Sequence, residues 1–256
     1  MKKIVLNIFT IIFVIGIAYS VYSLITYRID EKNLKEQLKT IEENVEVVEI
    51  QENGSTEAIE ESDNSNMNLM SADFDKLKSI NSDVKGWITV NGTNINYPFV
   101  QGKDNSYYLR HSFDKSYNNA GWVFLDYKNN LLNDKNTVLY AHSMRNRTMF
   151  GSLRNILKNN WVNNSNNHII KLSTENENTL WQVFSVYHIK TTSDYIKTRF
   201  NSDNEFEKFI NMISKRSFHN FNTEVSIDDK VLTLSTCYSN AERLVLHAKL
   251  IKREAK

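Results

Sequence analysis

With 256 residues, 41% of them hydrophobic and 24% charged, the chain has apolar material for one substantial core with appendages but hardly for two full-sized domains. Its 31 Lys and Arg against 30 Asp and Glu leave a net charge of +1, which argues against a polyanion-binding role driven by bulk charge. A single cysteine excludes an intramolecular disulfide and leaves a thiol that is either a small buried hydrophobe or a reactive group.

The first predicted element is a membrane span. No charge occurs between Lys3 and Arg28, and Ile4 to Ile25 is almost wholly apolar, long enough to cross a hydrocarbon core of roughly 30 Å as a helix. Lys2 and Lys3 precede the run, Asp30 and Glu31 follow it, and Tyr19, Tyr22 and Tyr27 suit the far interface. The expected topology is a single-pass anchor in the cell membrane, N-terminus cytoplasmic and remainder extracytoplasmic. A cleaved signal peptide competes, because Ala18-Tyr19-Ser20 imitates a small-x-small cleavage site. The apolar character that continues through Val21 to Ile25 favours the retained anchor.

From Asp30 to about Ile50, Leu34, Leu38, Ile41 and Val45 recur with the period of a weakly amphipathic helix, predicting a stalk. Residues 51–66, QENGSTEAIEESDNSN, are acidic and nearly free of large apolar groups, which predicts a flexible linker. The division is thus 1–28 for tip and anchor, 29–70 for stalk and linker, and 71–256 for the folded domain. That domain is expected to begin near Ser71.

Within it, Gly86-Trp87-Ile88-Thr89-Val90, the turn signal Asn91-Gly92, and Thr93 to Tyr97 before the only proline, Pro98, predict a hairpin. Further strands are expected over 121–125, 137–141, 168–172, 179–189, 230–236 and 243–251. Two helical insertions interrupt them. Met149, Leu153, Ile156 and Leu157 form one apolar stripe, and Phe206, Phe209, Ile210 and Ile213 form another behind an N-cap at Ser202 or Asp203. Many short strands without regularly alternating helices predict a mostly antiparallel barrel or sandwich. Trp87 and Trp122 are expected in its core or rim.

Three residues carry chemistry. Val231 to Thr236 reads as a buried strand ending in Cys237, a polar turn follows, and the next strand places Leu244, Leu246, Ala248 and Leu250 on its core face, with Arg243 opposite. Cys237 and Arg243 then flank one hairpin mouth. Val138-Leu139-Tyr140-Ala141 likewise ends in His142. A thiolate is the reactive form of cysteine, and a neighbouring imidazole can take its proton and later return one to a leaving amine. Arg keeps its charge and can donate to a developing oxyanion. His247 shares the Arg243 face, but its mid-strand position points to a structural role. His111, His168, His188 and His219 have no motif around them, and the six histidines show no zinc-site spacing.

The run TLSTC, the strand-terminal His of LYAHSM, and an Arg opening the next strand resemble the three signature elements of the sortase family. GWITVNGTNINYPFVQGKDNSYYLRHSF, with the long insertion between the last strands, is similar to class B members in particular, and the resemblance covers roughly Asp73 to Ile251. It implies a closed β-barrel of about eight strands with helical insertions, preceded by the transmembrane helix. It places the nucleophile on Cys237, the general acid/base on His142 and the oxyanion-side cation on Arg243, and lines the substrate groove with Ser235, Thr191, Tyr195 and Ile196. One departure is that only five residues separate Cys237 from Arg243, a shorter turn than class B suggests.

The implied activity is that of a Gram-positive, membrane-anchored cysteine transpeptidase without a cofactor. It would cleave a secreted protein after Thr in a C-terminal sorting motif, of the NPQTN type or a related Pro/Thr motif. A thioester would then pass the protein to an amine of a peptidoglycan cross-bridge or its lipid-linked precursor. Two alternatives stand beside it, a cysteine endopeptidase in which water resolves the thioester and a membrane-tethered binding module with an inert cysteine.

Overall fold

Eight strands close a barrel in the order β10-β8-β7-β3-β4-β5-β6-β9. They are β3 (Val84–Val90), β4 (Asn96–Val100), β5 (Phe124–Leu125), β6 (Asn136–Tyr140), β7 (Ile169–Thr174), β8 (Glu177–Lys190), β9 (Val231–Cys237) and β10 (Glu242–Ala255). The structure is a computed structural model that describes residues 2–50, 67–131 and 133–256; the linker expected at 51–66 lies outside them. The β4–β5 and β6–β9 pairs are parallel and the others antiparallel, so the expected barrel stands. Its interior takes one side of each strand, including Leu139, Leu232, Leu234, Leu244, Leu246 and Ala248, and Trp87 and Trp122 are buried in the same core.

The β3–β4 connection differs from a two-residue hairpin. Val90 N–H donates to the Ile95 carbonyl, and β4 resumes only at Asn96, so the loop runs from Asn91 to Ile95. Gly92 sits at φ +69, where a Cβ would also press on the Asn167 side chain, so the turn needs glycine there.

The 191–230 insertion covers the outer face of β8, β10 and β9. Its helix α4 (Asp203–Lys215) is capped by Ser202, whose Oγ accepts from Glu205 N–H, and buries Phe206, Phe209, Ile210 and Ile213. These side chains join Phe184, Tyr187, Val231 and Val245 in a second apolar cluster. The other insertion forms 3-10 turns over Phe150–Leu157 instead of an α-helix, followed by the short α3 (Asn159–Val162). Gly151 explains the tight path, because a Cβ there would lie 2.3 Å from the Met144 carbonyl oxygen.

The N-terminal region departs from a free stalk. Helix α1 (Lys2–Asn44) is continuous, and among the described residues it is the helix long and apolar enough to cross a membrane. Helix character ends at Asn44; residues Val47–Ile50 are strand β1, paired antiparallel with β2 (Leu69–Ala72). The amphipathic stripe is what docks this region, for Leu34, Ile41 and Val45 are buried in the main core cluster. Phe113 N–H donates to Gln37 Oε1 at 2.9 Å, and Asn118 Nδ2 donates to the Asp30 carbonyl at 3.0 Å. Ser71, the expected start of the domain, falls inside β2, and α2 (Phe74–Ile80) follows it.

A chain beginning at Ile29 should be soluble and folded, since side chains 3–25 contact none of the core. In that chain Leu34→Ala or Ile41→Ala should each cost about 2–5 kcal/mol of stability, as for other fully buried side chains. Thermal melts followed by circular dichroism check this; unchanged melting would show that α1 does not dock.

Candidate active site

The site is built by strand register. Parallel pairing of β6 with β9 sets Leu139 beside Leu234 and Tyr140 beside Ser235. Cys237 follows Ser235 by two residues at the end of β9, on the same face of that strand, while β6 ends at Tyr140 and His142 lies two residues beyond it, in the loop that leaves the strand rather than at its end as the sequence suggested. Thr236 Oγ1 donates to the Ala141 carbonyl at 2.7 Å and ties the two ends together. On the other side of β9, the antiparallel register pairs Cys237 directly with Arg243. Cross-strand partners share a face, so thiol and guanidinium stand side by side, and the imidazole just past the end of β6 lines the same cleft.

They open on a cleft of about 630 Å³. Its walls include His142, Cys237 and Arg243 and also Thr191, Tyr195, Ile196 and Ser235, so all seven residues singled out in the sequence converge there. Cys237 is exposed, while His142 and Arg243 are half-buried. His142 Nε2 lies 2.8 Å from the Leu109 carbonyl oxygen. A carbonyl only accepts, so Nε2 carries the hydrogen, and in the neutral ring Nδ1 keeps its lone pair for a proton from elsewhere.

The short turn after Cys237 is tied to the groove wall by Thr191, whose N–H and Oγ1 both donate to the Ala241 carbonyl. Tyr195 is buried with its hydroxyl 3.0 Å from Ser235 Oγ, and burial pushes its phenol pKa up. Sequence reasoning did not single out Asn105 or Leu109, which also line the cleft. Leu109 acts on His142 through a backbone carbonyl, a role that no side-chain pattern encodes. Among the described residues, no group of three His, Cys, Asp or Glu side chains is placed to hold a metal ion.

An exposed thiol at a barrel rim, opening on the same cleft as an imidazole and a guanidinium, is the make-up of a cysteine-dependent acyl-transfer enzyme. Residues 88–251 match the Sortase domain family. The chain is 37% identical to Sortase B of Staphylococcus aureus over 184 residues, which is 70% of this chain and 75% of that protein. A Staphylococcus aureus sortase B–substrate complex superposes with a TM-score of 0.66 at 37% identity, covering 70% of this chain and 84% of that one. A sortase B complexed with triglycine does so with a TM-score of 0.66 at 36% identity, covering 70% and 85%. The chain belongs to the sortase family of cysteine transpeptidases, and these relatives are sortases B.

Behind the cleft wall runs a buried polar chain. Thr233 Oγ1 donates to Asn136 Oδ1 at 2.7 Å, so its one proton is used and it accepts from His247 Nδ1–H at 2.9 Å. His247 Nε2 then accepts from the Tyr187 hydroxyl at 2.9 Å. Asn136 Nδ2 in turn donates to the Lys197 carbonyl at 2.9 Å, just beyond Tyr195 and Ile196. His247 is fully buried and structural, as its mid-strand position indicated. Burial, and secondarily the Arg216 cation, lowers its pKa from 6.5 to about 3.

Above pH 6.5 this imidazole is neutral in both folded and unfolded chains. Between 6.5 and about 3 only the unfolded chain takes up the proton, so this group's contribution to stability is lost as pH falls through that window. The melting temperature of the native protein should therefore approach that of His247→Gln on going from neutral pH to about pH 4. A gap that stays constant with pH would contradict the buried neutral assignment.

Proposed function

We propose that the protein is a membrane-anchored sorting transpeptidase in which Cys237 is the nucleophile, His142 the general acid/base and Arg243 the oxyanion donor. The observation that supports it most is the convergence of these three side chains, two on the paired ends of β9 and β10 and one just past the end of β6, with Thr191, Tyr195, Ile196 and Ser235 around one cleft.

The thiolate Sγ adds to the carbonyl carbon of a threonine in a C-terminal sorting motif. The electron pair moves to the carbonyl oxygen, where Arg243 donates hydrogen bonds to the charge that develops. Collapse breaks the peptide C–N bond, and imidazolium His142 gives its Nδ1 proton to the departing amine while Nε2–H stays on Leu109. A thioester on Cys237 remains. A peptidoglycan cross-bridge amine or its lipid-linked precursor attacks that thioester, His142 accepts the proton, and the thiolate leaves. The related complexes with substrate and with triglycine support both halves of the cycle.

Residues 1–28 form the cytoplasmic tip and anchor, as the apolar part of α1 suggests. The catalytic unit spans 71–256 outside the membrane and carries residues 29–50 packed against it.

Two results test this. Arg243→Lys keeps the charge but loses the planar fork, and kcat/KM should fall at least about tenfold by analogy with loss of an oxyanion donor; an unchanged value would remove Arg243 from the site. With a panel of NPQTN-type and related sorting peptides, triglycine should divert the acyl group into an amide that mass spectrometry detects, and Cys237→Ala should abolish both cleavage and transfer. Fast hydrolysis with no amide at saturating amine would leave an endopeptidase.

A further inference from the structure

Besides the Thr236–Ala141 hydrogen bond, a side chain outside the cleft joins the segments that directly follow the thiol and the imidazole. Arg154, on the 3-10 turns of Phe150–Leu157, donates from Nε to Ser143 Oγ at 3.2 Å, and Ser143 directly follows His142. Its Nη2 donates to the carbonyl of Tyr238, the residue that directly follows Cys237. The guanidinium also lies over the Tyr238 ring, 4.9 Å from the centroid. The same ring stacks on His188 at 4.3 Å and 12°. His188 Nδ1 is 3.2 Å from Glu242 Oε1, and Tyr238 N–H donates to the Glu242 carbonyl at 3.0 Å. Tyr238 is thus held at its N–H, at its C=O and through ring contacts with Arg154 and His188.

On the imidazole side the loop is equally closed. Phe150 N–H donates to the His142 carbonyl at 2.9 Å, Ser143 bridges Met149, and Gly151 lets the Met144 carbonyl approach. Residues 142–154 therefore form one body, and Arg154 is its link to the Cys237 turn.

We propose that Arg154 is a positioning residue that clamps the His142 loop to the Cys237 turn and so sets the thiol–imidazole geometry, an inference that rests on the catalytic roles assigned above. A planar guanidinium suits the task because Nε and Nη2 reach two acceptors while the plane stacks on an aromatic ring. An ammonium satisfies one acceptor well and leaves the other.

The test compares Arg154→Met, Arg154→Lys and Ser143→Ala with Cys237→Ala, using the full chain in detergent, an NPQTN-motif peptide and triglycine. Arg154→Met should lower kcat by about 10- to 100-fold, the scale expected when reacting groups are slightly misplaced, with KM changed by less than about threefold. Arg154→Lys should recover part of that loss, and Ser143→Ala, which removes one of the two acceptors, should shift kcat in the same direction by less. The alkylation rate of Cys237 with iodoacetamide should change in the Arg154→Met protein. A kcat within about twofold of native in Arg154→Met, even with a lowered melting temperature, would make Arg154 merely structural and overturn the clamp while Cys237→Ala stays inactive. If Arg154→Met does not fold, native kcat in both Arg154→Lys and Ser143→Ala overturns it equally. Activity in Cys237→Ala would overturn the nucleophile assignment itself, and the clamp with it.

Discussion

The parallel pairing of β6 with β9 is the constraint from which the active-site geometry follows. It joins segments far apart in the chain, closes the barrel and brings two strand ends out at the same rim. Its register is set by the core, because Leu139, Leu232 and Leu234 must face inward with Leu244 and Leu246 of β10. A slip of one residue would turn those leucines outward and carry Ser235 and Cys237 to the wrong face. The apolar pattern of the interior thereby fixes the relation of thiol, imidazole and guanidinium, although none of the three is a core residue.

The second constraint is the cover laid on the outer face of the same strands. β9 is buried from Val231 to Thr236 because it is covered on both sides, inside by the barrel core and outside by the α4 cluster, although three of its seven residues are Thr or Ser. The polar groups of that outer face, Thr233, Asn136 and His247, consequently need partners, and a one-directional chain of hydrogen bonds supplies them. Where the cover ends, at Thr191 to Ile196, the outer face of β9 and β10 is uncovered and becomes the floor of the cleft. Insertion and catalytic groove are therefore one feature seen at its middle and at its edge.

Much of this was legible in the sequence, for reasons that separate cleanly from what was not. Alternation in 243–250 located the core face and put Arg243 and His247 together on the other; the capped stripe of 203–215 specified α4. The stripe Leu34–Leu38–Ile41–Val45 revealed a helix face but not its docking partner, and Val47–Ile50 was hidden because a four-residue strand carries almost no periodic signal and its partner lies beyond the linker. Met149 to Leu157 has helical spacing, yet Phe150–Leu157 winds as 3-10 turns with Gly151 packed against the Met144 carbonyl, a contact that spacing does not reveal. Leu109 meets His142 through its own backbone oxygen and Arg154 meets the backbone oxygen of Tyr238, and contacts of that kind depend on tertiary structure alone.

Acyl transfer through Cys237 requires a covalent thioester between cleavage and transfer. The full chain should be mixed with a cleavable sorting peptide, quenched in acid during turnover, and its intact mass measured before proteolytic mapping. An added mass equal to the peptide segment ending in threonine is expected, located on Cys237 and released by hydroxylamine as a thioester should be. Turnover without an adduct under conditions that trap thioesters, or an adduct on any other residue, would contradict acyl transfer through Cys237.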